Sequence, residues 1–523
     1  MKFDYWNHPL VVSAFRVRFR GRAPGAAAMI YFLALLSLGG ILQYNLANEP
    51  QVSWVLIYFV VLISIECAVA ALFAASATFQ SMHNEVVNRT LDYQRTAAIG
   101  PHEILLGKLL GEPAQGYMLA LAGLPLLVWC LAMGVTTPGV FALLLINLVT
   151  TTFMFGAFGL AHPLDTSVER SKASGRSVRA VGILVGLVIG LQMLVATNTL
   201  VQSPLGQAAL GLLTPALAIY GVAIGDPMSF CLNLFGVEIP YLFVTPIAQV
   251  AVALMVIHSI ARRLVSPLNT ALSKPTAYCV LLVIDVLTAG LLGSSIIVNA
   301  DRVVAGFCLI HLLSSLFLTM AITPGRETLK TWIWRFRGRL PYWKDMLWGP
   351  RSGNLGALVV FSVIGAAITP LVALAVDGRS MTPISQSDLM QSTIRMLVAT
   401  TVVLLALGSL FQWLLSIGQA GGVMFIGMVA MFSVVPHLAG AYLDSELLVA
   451  ASPSGQFASW LFQVPPTLRV EPLLVVYGAM FVITQRLNAR RISLGIAAVK
   501  RKIEIMLAEP EKVSAPPSSE GTA

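Results

Sequence analysis

Between two long apolar runs the chain carries Glu85-Val86-Val87-Asn88-Arg89-Thr90-Leu91-Asp92-Tyr93-Gln94-Arg95-Thr96-Ala97-Ala98-Ile99-Gly100-Pro101-His102-Glu103-Ile104-Leu105-Leu106-Gly107-Lys108. Its charge density stands well above that of its surroundings. On a helix, Glu85 and Arg89 form an i,i+4 pair and Arg89 and Asp92 an i,i+3 pair, with Val86, Val87, Thr90 and Leu91 gathered beside them. The expectation is a short polar helix lying along a membrane surface and ending before Gly100-Pro101. Proline at a first helical position and Glu103 near the positive helix end then begin a new helix that enters the membrane.

The rest of the chain explains why such a helix stands out. Of 523 residues, 57% are hydrophobic and only 11% charged, and the mean hydropathy is +0.81. Soluble domains are nearer a quarter charged, so the chain is read as an all-α polytopic membrane protein. The net charge of +9 would suit nucleic acid, but basic residues flanking apolar spans account for it and no nucleic-acid partner is expected. Cys67, Cys130, Cys231, Cys279 and Cys308 show no metal or disulfide spacing and are read as small core residues.

Runs of spanning length, roughly 20 residues, fall near 26–46, 54–79, 116–134, 141–161, 180–200, 240–261, 276–297, 303–323, 355–376, 396–417 and 423–442, with a last, short one near 472–485. About 12 transmembrane helices are therefore expected. With the N-terminus inside, the inner segments hold 29 of the 33 Lys and Arg, against Arg302, Arg379, Arg395 and Arg469 outside. That asymmetry predicts both termini in the cytoplasm, and the expected location is a multi-pass protein of a cytoplasmic (inner) membrane. Pro9–Arg22, basic and apolar together, reads as an interfacial helix whose arginines reach toward lipid phosphates. Val201–Glu238 and Asp444–Glu471 read as short helices on, or dipping into, the outer leaflet.

The two long outer segments each precede the last span of a six-span group, and each such span ends on a basic cluster, Arg262-Arg263 or Arg486 with Arg490-Arg491. Each group also has a charged inner loop after its second span, one holding Arg89-Thr90-Leu91-Asp92 and the other Glu327-Thr328-Leu329-Lys330. The expected organisation is a cytoplasmic N-terminus over 1–25, a first six-span unit over 26–264, a second, diverged unit over 265–491 and a cytoplasmic tail over 492–523. A parallel repeat of this kind implies a substrate path between its halves.

No GxxxxGK[ST] sequence occurs, since Gly107-Lys108 has neither the first glycine nor the following hydroxyl, and no HExxH or GxSxG is present. The chain is thus expected to be no enzyme and to carry no cofactor. Ionisable residues inside the runs are Glu66, Asp285, His258 and His311. Burying a charge in hydrocarbon is costly, which makes Glu66 and Asp285 candidates for a pathway; the histidines read as bridges between helices.

At the opening stretch the chain resembles the coupling-helix region of type-2 ABC transporter permeases, the transmembrane subunits of ABC exporters. That family shows Glu, then Gly-Thr-Leu-Glu, a Thr-Thr-Pro-rich turn, then Ser-Pro-x-Glu-Ile-Leu-Leu-Gly-Lys. Glu85, Thr90, Leu91, Asp92, Thr96, Pro101 and Glu103 to Lys108 fit, while Arg89, Ala98 and Gly100 replace a glycine, a proline and a serine. The resemblance covers residues 8–264. It implies a permease that works with a separate cytoplasmic ATPase, which would hold ATP and Mg, and with membrane lipid around it. A dimer with a second copy or another permease is the usual family assembly. Coupling to the ATPase would fall to Glu85, Arg89, Thr90, Leu91, Asp92 and Arg95, with Glu327, Thr328, Leu329 and Lys330 as a second, altered contact. The alternative is a secondary transporter in which Glu66 or Asp285 relays an ion.

Overall fold

The computed structural model describes residues 9–20, 23–46, 53–88, 90–91, 99–161, 211–266, 269–294, 300–335, 343–377, 386–417, 424–425, 428–429, 431, 435–443, 445–453 and 470–508. They are helical apart from short connections and one hairpin. Nine of the described helices are long and apolar enough to cross a membrane, which makes this a polytopic membrane protein. These nine coincide with nine of the twelve expected runs. Of the others, 180–200 lies outside the described residues, 423–442 lies partly outside them, and 472–485 is the start of a longer helix. The chain divides into two units, Met1–Pro267 and Leu268–Ala523.

In the first unit, α1 (Pro9–Arg18) begins on a proline, which has no N–H to leave unpaired there. It is followed by α2 (Ala23–Leu46) and α3 (Trp54–Val87), then α4 (Pro101–Gly111), α5 (Ala114–Ala132) and α6 (Pro138–Ala161). Gly100 precedes α4, and Glu103 accepts its backbone N–H at 3.3 Å, so the Gly-Pro break and its acidic first turn stand as read. The helix so begun is short, however. Pro113 interrupts it, and the crossing helix is α5.

The larger correction concerns α3. The apolar run was read to end near residue 79, with a separate polar helix beginning at Glu85. Gln80 to Val87 contain neither glycine nor proline, so the helix continues without a new nucleation step. At 34 residues it is about 51 Å long, well beyond the roughly 30 Å hydrocarbon layer. Its last turns, including Glu85, are therefore a stalk standing out of the membrane, and Asn88 caps it.

α3 packs along α6, and α6 along α8 (Tyr241–Val265). Buried Phe59, Leu62, Ile63, Phe141 and Leu144 fill one layer, and Phe79, Met82, Leu105, Leu109 and Phe155 another. Polar side chains tie the same helices. Thr78 donates to Gly156 O at 2.9 Å, Asn147 to Leu242 O at 3.1 Å, and Gln249 to Thr151 at 2.9 Å. Such bonds contribute because lipid gives a buried polar group no other partner.

The described part of the segment Val201–Glu238 holds a short helix, α7 (Ala216–Ala223), buried against α3 and α8. It also holds a hairpin of β1 (Cys231–Leu234) and β2 (Val237–Pro240), antiparallel, with Leu234 opposite Val237. Phe235 and Gly236 turn it with φ of 53° and 86°, the two positive angles that match strand twist. The sequence reading expected only helices here.

In the second unit, α9 (Lys274–Ser294), α10 (Ala300–Ile322), α13 (Leu355–Asp377) and α14 (Gln386–Ile417) pack together. Two short helices, α11 (Arg326–Arg335) and α12 (Trp343–Trp348), lie between α10 and α13 in the chain; α15 (Val435–Tyr442) and α16 (Glu446–Ala451) follow α14. Last comes α17 (Glu471–Ala508), a single helix of 38 residues. A short span over 472–485 and a separate cytoplasmic tail from 492 were expected there. Nothing between Val482 and Ser493 breaks the helix, and Ser409–Thr484 (2.7 Å) and Asn488 to Ser409 O (3.2 Å) hold it along α14. The tail beyond residue 508 lies outside the described residues.

α1 crosses α4 at Gly111, where an added Cβ would stand 2.9 Å from the Ala14 Cβ. Gly111→Leu is therefore expected to lift α1 from the unit. Limited trypsin digestion would then cut at Arg16–Arg20 several-fold faster than in the parent protein, and an unchanged rate would refute this packing.

Candidate functional site

The stalk of α3, the short helix α4 and the N-terminal α1 meet in a polar relay. Lys108 is 3% exposed, and its ammonium contacts the Glu85 carboxylate and donates to Ser81 Oγ at 3.2 Å. Ser81 Oγ in turn donates to Glu112 Oε1 at 2.8 Å. Arg18 of α1 donates to Glu112 Oε2 at 3.3 Å. Opposite charges thus alternate across three helices around a cleft of about 270 Å³, whose walls include Leu10, Ser13 and Val17.

The local sequence explains the placement. Glu85 lies in the last turn of α3, where the carbonyl end of the helix disfavours an acid, and Lys108 offsets it. Lys108 itself sits in the last turn of α4, where a cation is favoured. Thr90 is exposed, and its hydroxyl donates to Glu85 O at 3.5 Å.

Leu91 is placed otherwise than a partner contact requires. It is buried among Phe79, Met82, Leu105 and Leu264, because its apolar side chain gains more inside the unit than on its surface. Arg89, Asp92 and Arg95 lie outside the described residues. In the second unit the side chain of Glu327 lies outside them too, while Thr328 is buried and Lys330 exposed. Leu329 packs with Trp332, Ile333, Ile496 and Val499. α17 of the same chain therefore covers the apolar face of this second contact.

The two candidate pathway acids have different surroundings. Glu66 is 0% exposed in α3, with the phenol of Tyr31 beside it. Among the described residues, neither carboxylate oxygen nor that phenol has a hydrogen-bond partner of ordinary geometry. The acid is seated against α5 where Gly123 leaves room; an added Cβ there would stand 1.6 Å from Oε1. Asp285 of α9, also 0% exposed, meets His311 Nδ1 of α10 at 2.8 Å. His311 thus bridges two helices, as its residue type suggested, and brings Asp285 a partner that spacing alone did not assign. Ser315 lies 3.5 Å from its other nitrogen.

Three residues of the relay, Arg18, Ser81 and Glu112, escaped the sequence reading. The available signal was a lysine set between Ile104-Leu105-Leu106 and Leu109-Leu110, since such a cation must find an acid once buried. In the second unit Lys274 is sealed likewise, donating to Met346 O (2.5 Å), Ser352 Oγ (2.7 Å) and Gly353 O (2.8 Å). Cys67, Cys130 and Cys308 are buried as expected, but Cys279 is exposed on α9. Burial, together with Glu238 and Asp226, holds the Cys231 thiol above its ordinary pKa. Among the described residues no cluster of three or more His, Cys, Asp or Glu could hold a metal. Comparison of the chain with protein families, with curated proteins and with solved structures gives no match.

Two outcomes follow from this geometry. Lys108→Met is expected to destabilise the protein by roughly 1–3 kcal/mol, because it removes the buried Lys108–Glu85 ion pair and the bond to Ser81. The double variant with Glu85→Gln should recover part of that loss in denaturant or thermal melts in detergent; strict additivity would exclude the pairing. Gly123→Ala should cost roughly 1–3 kcal/mol through overpacking against Glu66, and Glu66→Ala in the same chain should relieve it.

Proposed function

We propose that this chain is the permease subunit of an ATP-driven ABC exporter, carrying its substrate across a cytoplasmic membrane while a separate ATPase subunit hydrolyses ATP. The reading joins the motif from Glu85 to Lys108 with one structural observation. An exposed residue of that motif, Thr90, lies just past the end of a stalk wired through Glu85, Lys108, Ser81 and Glu112 to the N-terminal helix. A push on the segment after Asn88 would then reach α3, which crosses the membrane, and α1 together. Rigid polar links suit such transmission, since bonded charges resist independent movement of the helices that bear them.

The contact surface on this reading is narrower than the motif. Thr90 and the exposed Ile99 face outward, while Leu91 anchors the segment. In the second unit Thr328 and Leu329 are engaged within the chain, so the first unit carries the stronger contact. The buried Asp285–His311 pair and Glu66 favour the alternative, an ion-coupled secondary transporter.

The deciding experiment is purification of the tagged chain in mild detergent from its own cells. A P-loop ATPase should accompany it, and Thr90→Trp should abolish that association while leaving the melting temperature unchanged. Lys330→Trp should weaken it less. Purification without any ATPase, combined with transport driven by an ion gradient alone, would overturn the proposal in favour of the alternative.

A further inference from the structure

The second unit carries a surface that shares only Lys330 with the second coupling contact and that the buried acids do not use. Between α11 and α17 lies a groove of about 300 Å³ lined by Lys330, Ile333, Trp334, Gly495, Ala498 and Val499. Its floor is small and apolar, and Lys330 and Trp334 at the rim are exposed. Along α17, Arg490, Leu494, Ala498 and Arg501 are spaced four, four and three residues apart, and so share one side of the helix. All four are exposed. Arg491 and Lys500 flank this stripe, and Glu504 is the one acid on α17 beyond Glu471. An apolar slot with tryptophan at its edge and a basic border is the arrangement that suits an amphipathic anion.

The order of residues along α17 points to the same class of ligand. The apolar run of α17 ends at Thr484, before Gln485 and Arg486, and all of its basic residues lie beyond that point, the order in which a helix passes from hydrocarbon to a charged lipid surface. Long basic side chains at such a surface reach back to phosphate, and tryptophan is favoured at the same boundary.

We propose that the groove between α11 and α17 binds an anionic phospholipid, with its phosphate held by Lys330 and the Arg490–Arg501 stripe and its upper acyl carbons against Trp334 and Leu494. Apolar contact and charge act together, which separates this site from the general attraction of basic residues to a negative surface. Occupancy would fasten α17 over α11, because the ligand touches both.

The test uses the full-length chain, delipidated in a neutral detergent at low salt, with thermal unfolding followed by tryptophan fluorescence. Added phosphatidylglycerol should raise the melting temperature by several degrees, and phosphatidylcholine should not. Lys330→Gln with Arg501→Gln, both exposed and outside the packed face, should remove most of the rise. Ala498→Phe, which fills the slot and keeps every charge, should remove it as well. Equal stabilisation by phosphatidylcholine would overturn the proposal. So would a rise that survives both variants, or an equal rise from inorganic phosphate or an acidic peptide, since a lipid site needs the acyl chain. None of these outcomes depends on an ATPase partner.

Discussion

A polar atom inside hydrocarbon has no water to bond, and that single constraint accounts for most of what holds each unit together. Threonine and serine hydroxyls along the spans bond the carbonyl a turn back, as Thr78 does to Ala74 O (2.7 Å) and Thr319 to Ser315 O (2.7 Å). Where a side chain has capacity to spare, it reaches the neighbouring helix. Asn354 donates to Gly408 O at 2.8 Å and to Thr323 at 3.1 Å, so one residue ties α13 to α14 and to the end of α10. Apolar packing alone would not fix these helices, because lipid is as good a solvent for leucine as another helix is.

The same constraint explains where the charges go. Lys108 and Lys274 are buried at helix ends, and each is surrounded by acceptors drawn from other segments. Lys108 uses an acid and a hydroxyl from α3. Lys274 uses carbonyls and a hydroxyl from the turns around α12. An ammonium sealed by fixed acceptors locks the elements that provide them, since moving one exposes an unpaired charge. Relay and lock therefore sit at helix ends in each unit.

Legibility followed the range of the interaction. The spans were readable because twenty apolar residues have one stable environment, and Gly100-Pro101 was readable because a missing N–H and a permissive φ act locally. The chain beyond a span was harder to read. Charge suggested that α3 should stop before Glu85, yet helices stop at breakers, and Gln80 to Val87 contain none. The same error split α17 in two. The turn at Phe235-Gly236 went unread because a phenylalanine with positive φ carries no turn signal of its own.

Sequence by itself determined that this is a multi-spanning membrane protein, and it determined its basic-residue asymmetry, the absence of a P-loop and the start of α4. These rest on composition and on interactions spanning a few residues. Tertiary structure alone decided that Leu91 points into the unit, that Glu85 finds Lys108, that Asp285 finds His311 and that α17 covers α11. Each of these is a choice of partner made between different segments of the chain, and it is set by how whole helices pack. Period and spacing describe one helix at a time, so they name the face that must be buried without naming what buries it.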